Sequence, residues 1–257
     1  VESLVLDGGL LTDPRWIIGV ASILLAGFMK GLSGMGLPLV ATPILATLSD
    51  LPTAIAITVP ATVLSNVPVL YAFRAEWRQA RRLAPLLLPA IVGIVLGTRI
   101  LVGVDPGTLR GLLGALVVAF VSVSYFRLIP HLGERLTRRL SPFVGVAAGV
   151  LQGAAGQSGP IISIFFFQLG LSRAAFLFVI NAFFLVVDAT QMLSLASHGL
   201  YTPSRTALAA GVVCLAMPTL LLALRFHEWI SEERFRLAVL LVLFLTGIML
   251  LVRSIFA

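Results

Sequence analysis

Residues 27–38 read GFMKGLSGMGLP, and residues 149–160 read GVLQGAAGQSGP. A single offset of 122 residues carries Gly27 onto Gly149, Gly31 onto Gly153, Gly34 onto Gly156 and Pro38 onto Pro160. Each copy lies inside a long apolar run, where glycine and proline interrupt the helical ladder and free backbone groups that then need partners. In hydrocarbon such groups persist only against protein or beside a water-filled cavity. A pair of Gly/Pro-broken apolar segments at matching positions of two halves points to a central binding site of the kind transporters use.

Working outward, the run from Trp16 to Leu48 is too long for one simple crossing of about 20 residues. Its centre, Gly31 to Gly36, is expected to split it into two pieces too short to span separately. Three runs of ordinary length follow, Ala54–Phe73, Leu83–Val102 and Leu109–Phe126. The second half repeats the plan with the broken run Phe143–Leu169, then Ala174–Ser197, Thr206–Leu224 and Leu237–Val252. Arg110 and Arg127 match Arg236 and Arg253 at an offset of 126, so the duplication covers nearly the whole chain. This divides the sequence into a polar lead-in at 1–15, a first membrane repeat at 16–129, a basic cytoplasmic linker at 130–140 and a second repeat at 141–257. No soluble domain is evident.

Composition sets the class. Charged residues make up 11% of the chain and hydrophobic ones 59%, against about 25% charged in a soluble domain. The chain therefore reads as an all-α integral membrane protein. The net charge of +7 does not mean nucleic acid, because the arginines cluster in short loops between apolar runs. Four of them (Arg74, Arg78, Arg81, Arg82) fall within 74–82 and four more (Arg127, Arg135, Arg138, Arg139) within 127–139, as cytoplasmic loops require. If both loops are cytoplasmic and each broken run is a hairpin that leaves on the side it entered, each half has an odd number of full crossings and the repeats are inverted. A single crossing by the first run reverses the arginine counts of the second half, and the positive-inside bias favours the hairpin. The first run is too long and wrongly flanked for a cleaved signal peptide. Cys214 has no partner for an intramolecular disulfide, and no Cys/His cluster has metal-ligand spacing. Trp16, Trp77 and Trp229 stand at segment ends, as an interfacial belt predicts.

The chemistry concentrates at the two breaks. Lys30 is the only lysine in the protein; at membrane depth it costs at least about 3 kcal/mol and usually faces an interior cavity. It reads either as an anion-binding ammonium or as a side chain snorkelling to an interface. Short helices starting near Leu37 and Gly159 would present unpaired N–H donors and a partial positive charge, a ready site for a small anion. Ser33, Gln152, Gln157 and Ser158 add polar side chains to the same region. The alternative is that the glycines only serve close helix packing. Asp188 is the only acid inside an apolar segment, and the offset of 122 pairs it with Asn66. It reads as a protonatable group coupled to transport, or as one partner of a helix–helix hydrogen bond or of an ion pair with Lys30 or Arg99. Asn181 and Gln191 read as interhelical hydrogen bonds, and Arg99 as reaching the interface. The histidines, His131, His198 and His227, fall in loops, and no nucleophile–base set stands out, so an enzyme is not expected. The expected substrate site is Lys30, Ser33, Gly34, Gly36, Pro38 and Asn66 with Gln152, Gly156, Gln157, Ser158, Gly159 and Pro160, with no metal and no cofactor.

GLSGMGLPLVATPIL in the first half and GVLQGAAGQSGPIISIFF in the second resemble the sulfite exporter family TauE/SafE, also called TSUP. The resemblance implies a small multi-pass protein of the bacterial-type cytoplasmic membrane with a duplicated four-segment plan. It implies movement of a sulfur-containing anion such as sulfite, sulfoacetate or another organosulfonate. Lys30 and the paired helix starts independently ask for a small anion, and the repeats suggest that rocking one against the other alternates access. The alternative is an anion channel or a uniporter for another small anion or organic acid; few polar residues per segment argue against a continuous pore.

Overall fold

The computed structural model describes residues 14–126 and 134–226, with scattered helical positions between 240 and 254. The lead-in up to residue 13, the stretch 127–133 with Arg127 and His131, and the segment carrying His227, Trp229 and Arg236 lie outside the described residues, as do Arg253 and much of the last expected run. Among the described residues the elements are helical, without a strand.

Helix α1 spans Pro14–Ser33, opening on a proline whose missing N–H is an orphan at a first turn anyway. Gly34 ends it in the left-handed region, φ 74°, with its N–H on the Lys30 carbonyl at 2.8 Å. The chain then turns back through one wider π-type turn, Leu37–Ala41, into α2, Thr42–Leu48. A methyl placed on Gly19 would stand 3.6 Å from Leu48 and 3.7 Å from Leu45, so the second arm returns to the level where α1 begins. The broken run is a hairpin. Its first arm is longer than expected, however: Trp16–Ser33 is long and apolar enough to cross a membrane. The reason lies in the glycines. Gly27 and Gly31 stay helical and Gly34 breaks the helix, so the break falls inside the expected Gly31–Gly36 but past its first glycine, which lengthens the first arm.

Helix α3 (Leu51–Ala72) follows, then a short 3₁₀ stretch Arg74–Leu83, α4 (Ala84–Gly103) and α5 (Pro106–Tyr125). The second half gives α6 (Glu134–Ala155), α7 (Gly159–Phe167), α8 (Arg173–Ser197) and α9 (Pro203–Phe226). Helix α6 runs back through Glu134–Leu140, most of the expected linker. It too ends on a left-handed glycine, Gly156 at φ 66°, whose N–H meets the Gln152 carbonyl at 2.8 Å. Even the caps repeat. The Asp50 carboxylate accepts from Thr53 N at 2.8 Å, and 122 residues on Ser172 Oγ accepts from Ala175 N at 3.2 Å. Asp50→Ala removes one orphan-donor partner worth about 1 kcal/mol. The thermal midpoint in detergent is then expected to fall by about 2–4 °C; an unchanged midpoint would mean the cap carries no stability.

The halves pack by exchanging partners. Gly27 and Gly31 of α1 lie against α9, where a methyl on Gly31 would stand 2.7 Å from Ala223 Cβ. Their equivalents Gly149 and Gly153 of α6 lie against α4, where a methyl on Gly153 would stand 2.7 Å from Thr98 N. Small residues at such crossings let backbones touch, the main source of helix association in lipid. Between these two pairs run α3 and α8, in contact with each other. Outward faces are apolar: Leu88, Phe143 and Leu193 are each more than 70% exposed, tolerable in hydrocarbon and costly in water. Among the described residues five helices meet the length and apolarity needed to cross a membrane, and the protein is a multi-pass α-helical membrane protein.

Candidate functional site

Four side chains form a continuous polar row where α1, α3, α8 and α6 converge. Lys30 Nζ donates to Asn66 Oδ1 at 2.5 Å, and Asn66 Nδ2 donates to Asp188 Oδ2 at 3.2 Å. From the other side Gln152 Nε2 donates to Asp188 Oδ1 at 2.9 Å. All four are buried, Lys30, Asn66 and Asp188 completely. The donor and acceptor order fits an ammonium at one end and a carboxylate beyond the amide, since Asn offers one acceptor oxygen and one donor nitrogen. Lys30 also lies over the Phe184 ring, 5.1 Å from its centroid, which adds a cation–π contact.

The row is built on the repeat. Lys30 and Asn66 are 36 residues apart, as are Gln152 and Asp188, and the central Asn66–Asp188 bond joins equivalent positions 122 apart. The structure thus brings Lys30 and Asp188 together, but through Asn66 as intermediary. The pairing of Lys30 with Gln152 is present in the 122-residue register and passes unnoticed when each half is read alone.

The two breaks meet beside this row. The Gln157 amide donates to the Pro38 carbonyl, and a methyl on Gly159 would stand 4.0 Å from Met35 Sδ and 3.8 Å from Phe184 Cζ. Each left-handed glycine rests on the other half: Gly34 against Leu177 and Asn181 of α8, Gly156 against Ile55 of α3. Gly36 abuts the α1 backbone, where a methyl would stand 2.6 Å from Lys30 N. Pro160 sits in the first turn of α7. The glycines therefore divide into two groups. Gly34 and Gly156 break helices; Gly27, Gly31, Gly149 and Gly153 pack them.

Polar groups at the two breaks are used differently. Ser158 N and Oγ donate to Gln152 Oε1 at 2.9 and 2.6 Å, so the Gln152 amide oxygen occupies the mouth of the second break. Gln191, expected as an interhelical bond, is one: its Nε2 donates to the Gln152 carbonyl at 2.5 Å, and its Oε1 accepts from Gln152 Nε2 at 2.8 Å. At the first break the Ser33 hydroxyl turns back onto the Met29 and Met35 carbonyls, at 2.9 and 2.5 Å. Neither the helix that starts at Leu37 nor α7 has a side-chain cap. Asn181 departs from expectation. Its Nδ2 donates within its own helix to the Leu177 carbonyl at 2.8 Å, and its Oδ1 has no partner among the described residues. Arg99 is exposed on α4, as expected of a residue reaching the interface.

A cavity of about 280 Å³ opens elsewhere, between α1, its returning arm and α9, lined by residues such as Gly19, Leu45, Leu48, Ile57, Leu208 and Val212. It touches no member of the polar row and offers an anion no charge. The chemistry lies at the breaks.

A family model for sulfite exporter TauE/SafE proteins matches residues 19–250, nearly the full length. Among curated proteins and solved structures nothing matches. With the paired helix breaks at Gly34 and Gly156, the membrane-spanning helices and that near-complete match in place, the chain belongs to the sulfite exporter TauE/SafE family of membrane transporters.

Proposed function

We propose that this protein is a secondary transporter carrying a small sulfur-containing anion, sulfite or an organosulfonate such as sulfoacetate, across a bacterial-type cytoplasmic membrane. The observation that carries the reading is the convergence of two helix breaks beside Lys30, a fully buried cation. Its charge is balanced through Asn66 by Asp188. An anion arriving at the breaks competes with Asp188 for that ammonium, and a proton on Asp188 releases Lys30 to it. Anion and proton then travel together, which gives Asp188 its coupling role. Access alternates as one half, in an inverted-repeat arrangement, rocks against the other about the α3–α8 contact. The family match supplies the sulfur anion, and the buried cation beside helix starts supplies the physics of anion binding.

The test is thermal stability of purified protein against sulfite, sulfoacetate, taurine, sulfate and chloride. A ligand at 100 times its dissociation constant adds about 2.7 kcal/mol. Sulfite or a sulfonate is expected to raise the midpoint selectively. The paired variant Lys30→Gln/Asp188→Asn, whose row is neutral, is expected to fold and lose that shift. The reading falls if no sulfur anion shifts the wild type, or if the neutral variant responds equally.

A further inference from the structure

The two breaks are equivalent in backbone and unequal in chemistry. At the second, the Gln152 amide oxygen takes both donors of Ser158, the residue that leads into α7. At the first, residue 152 corresponds to Lys30 and residue 158 to Gly36. A cation stands where the internal acceptor was, and Gly36 stands where Ser158 was; neither the helix Leu37–Leu48 nor α7 has a side-chain cap on its own first turn. The vacated acceptor position is what an anion would fill.

A second, independent feature marks the same break. Asn181 is completely buried, yet its Oδ1 is one of two buried side-chain polar atoms without a partner among the described residues; the other, the Tyr201 hydroxyl, lies in the loop after α8. The Asn181 amide presses on the first break, with Nδ2 2.7 Å from where a Gly34 Cβ would stand. Asn181, Phe184 and Asp188 follow at i, i+3 and i+7, so they share one face of α8. That face carries the ring under Lys30 and the carboxylate balancing it. The position equivalent to Asn181 in the first half is Val59. The orphan amide therefore belongs to one break alone. A fully buried acceptor without a partner is costly and calls for an explanation, such as a ligand that satisfies it.

We propose that the substrate occupies the first break only, between Lys30, the start of the Leu37 helix and the Asn181 amide, while Gln152 permanently fills the equivalent place in the second. This deepens the transporter reading and rests on it. The Asn181 oxygen accepts and does not donate, so the site selects an anion that also bears a hydrogen-bond donor. Hydrogensulfite has its hydroxyl, and the taurine zwitterion its ammonium beside the sulfonate; the sulfate and sulfoacetate dianions and chloride have none, so among the sulfur anions tested the site favours hydrogensulfite over sulfoacetate.

The test measures anion affinity and ligand-free thermal midpoint on Asn181→Leu, with Asn181→Ala as a second variant of smaller volume. In Asn181→Leu the ligand-free midpoint is expected to stay level or rise, since an unpaired buried acceptor is gone. Affinity for hydrogensulfite or taurine is expected to weaken at least tenfold, with the preference over sulfate lost. Affinity within twofold of wild type in both variants overturns the proposal. Should a hydroxy- or ammonium-bearing carboxylate bind in place of every sulfur anion, and weaken in Asn181→Leu, the break assignment stands and the sulfur reading falls; a halide that binds as tightly as hydrogensulfite overturns the donor selection. Should no anion bind the wild type, both fall.

Discussion

Lys30→Gln alone is expected to destabilise the folded protein by about 3–5 kcal/mol, because it leaves Asp188 as an uncompensated charge in a fully buried row. Asp188→Asn alone leaves the converse, an ammonium facing amides and one aromatic ring. Each single variant removes one charge and strands the other. The double variant strands neither, and its amides can still be satisfied by Asn66 and by the Gln152 carboxamide. It should therefore recover much of what either single change loses, a coupling of at least about 2 kcal/mol in a double-mutant cycle. The measurement is the unfolding midpoint of the four proteins in one detergent. Additive losses, with the double variant the least stable of the four, would show that the two charges do not sense each other through Asn66. Transport should divide differently from stability. The double variant folds without a counter-charge for the anion, so it should be stable and inactive.

The sequence carries most of this architecture because duplication writes each structural requirement twice. Asp50 and Ser172 are chemically unlike, yet both cap the helix that follows the hairpin, and the register that aligns them also aligns Asn66 with Asp188. What local reading cannot supply is the division of labour among like residues. Gly31 and Gly34 look equivalent in GFMKGLSGMGLP. One packs on α9 and the other breaks α1, and the difference depends on a helix almost 190 residues away. The break at Gly34 falls inside the expected Gly31–Gly36, but because Gly31 stays helical the first arm is long enough to span, where the sequence predicts a shorter piece. Lys30 was legible as a buried charge, but its amide intermediary was not, because whether two charges touch or share a bridging side chain is decided by rotamers and helix separation. Asn181 was the hardest. Nothing in the spacing distinguishes an asparagine that bonds across helices from one that bonds its own backbone and leaves an oxygen unpaired. Only the three-dimensional accounting of polar atoms separates them.

Gly153→Leu should be among the most damaging single changes that alter no charge. Helices α4 and α6 touch through Gly93 and Gly97 on one side and Gly145, Gly149 and Gly153 on the other, with backbone against backbone along the crossing. A methyl on Gly153 would already stand 2.7 Å from Thr98 N and 2.9 Å from the Gly97 carbonyl carbon, and neither is the movable end of a flexible side chain. The helices must separate to admit leucine, and separation forfeits contacts along the whole seam, since packing rather than hydrophobic transfer holds helices together in lipid. Overpacking of this kind costs about 1–3 kcal/mol where the surroundings can yield and more where they cannot. Here both walls are main chain, so a loss at or above the top of that range is expected, with a fall of about 10 °C in the midpoint. Function should suffer beyond stability. Gln152 precedes Gly153 and holds both the Asp188 carboxylate and the mouth of the second break, so any shift of α6 carries that amide away from both. Gly103→Ala is the control, because a methyl there meets nothing within 4 Å. If Gly153→Leu melts within about 2 °C of the control, a shift worth less than about 1 kcal/mol for a chain of this size, the α4–α6 seam is not what positions Gln152, and the row must be held by α3 and α8 alone.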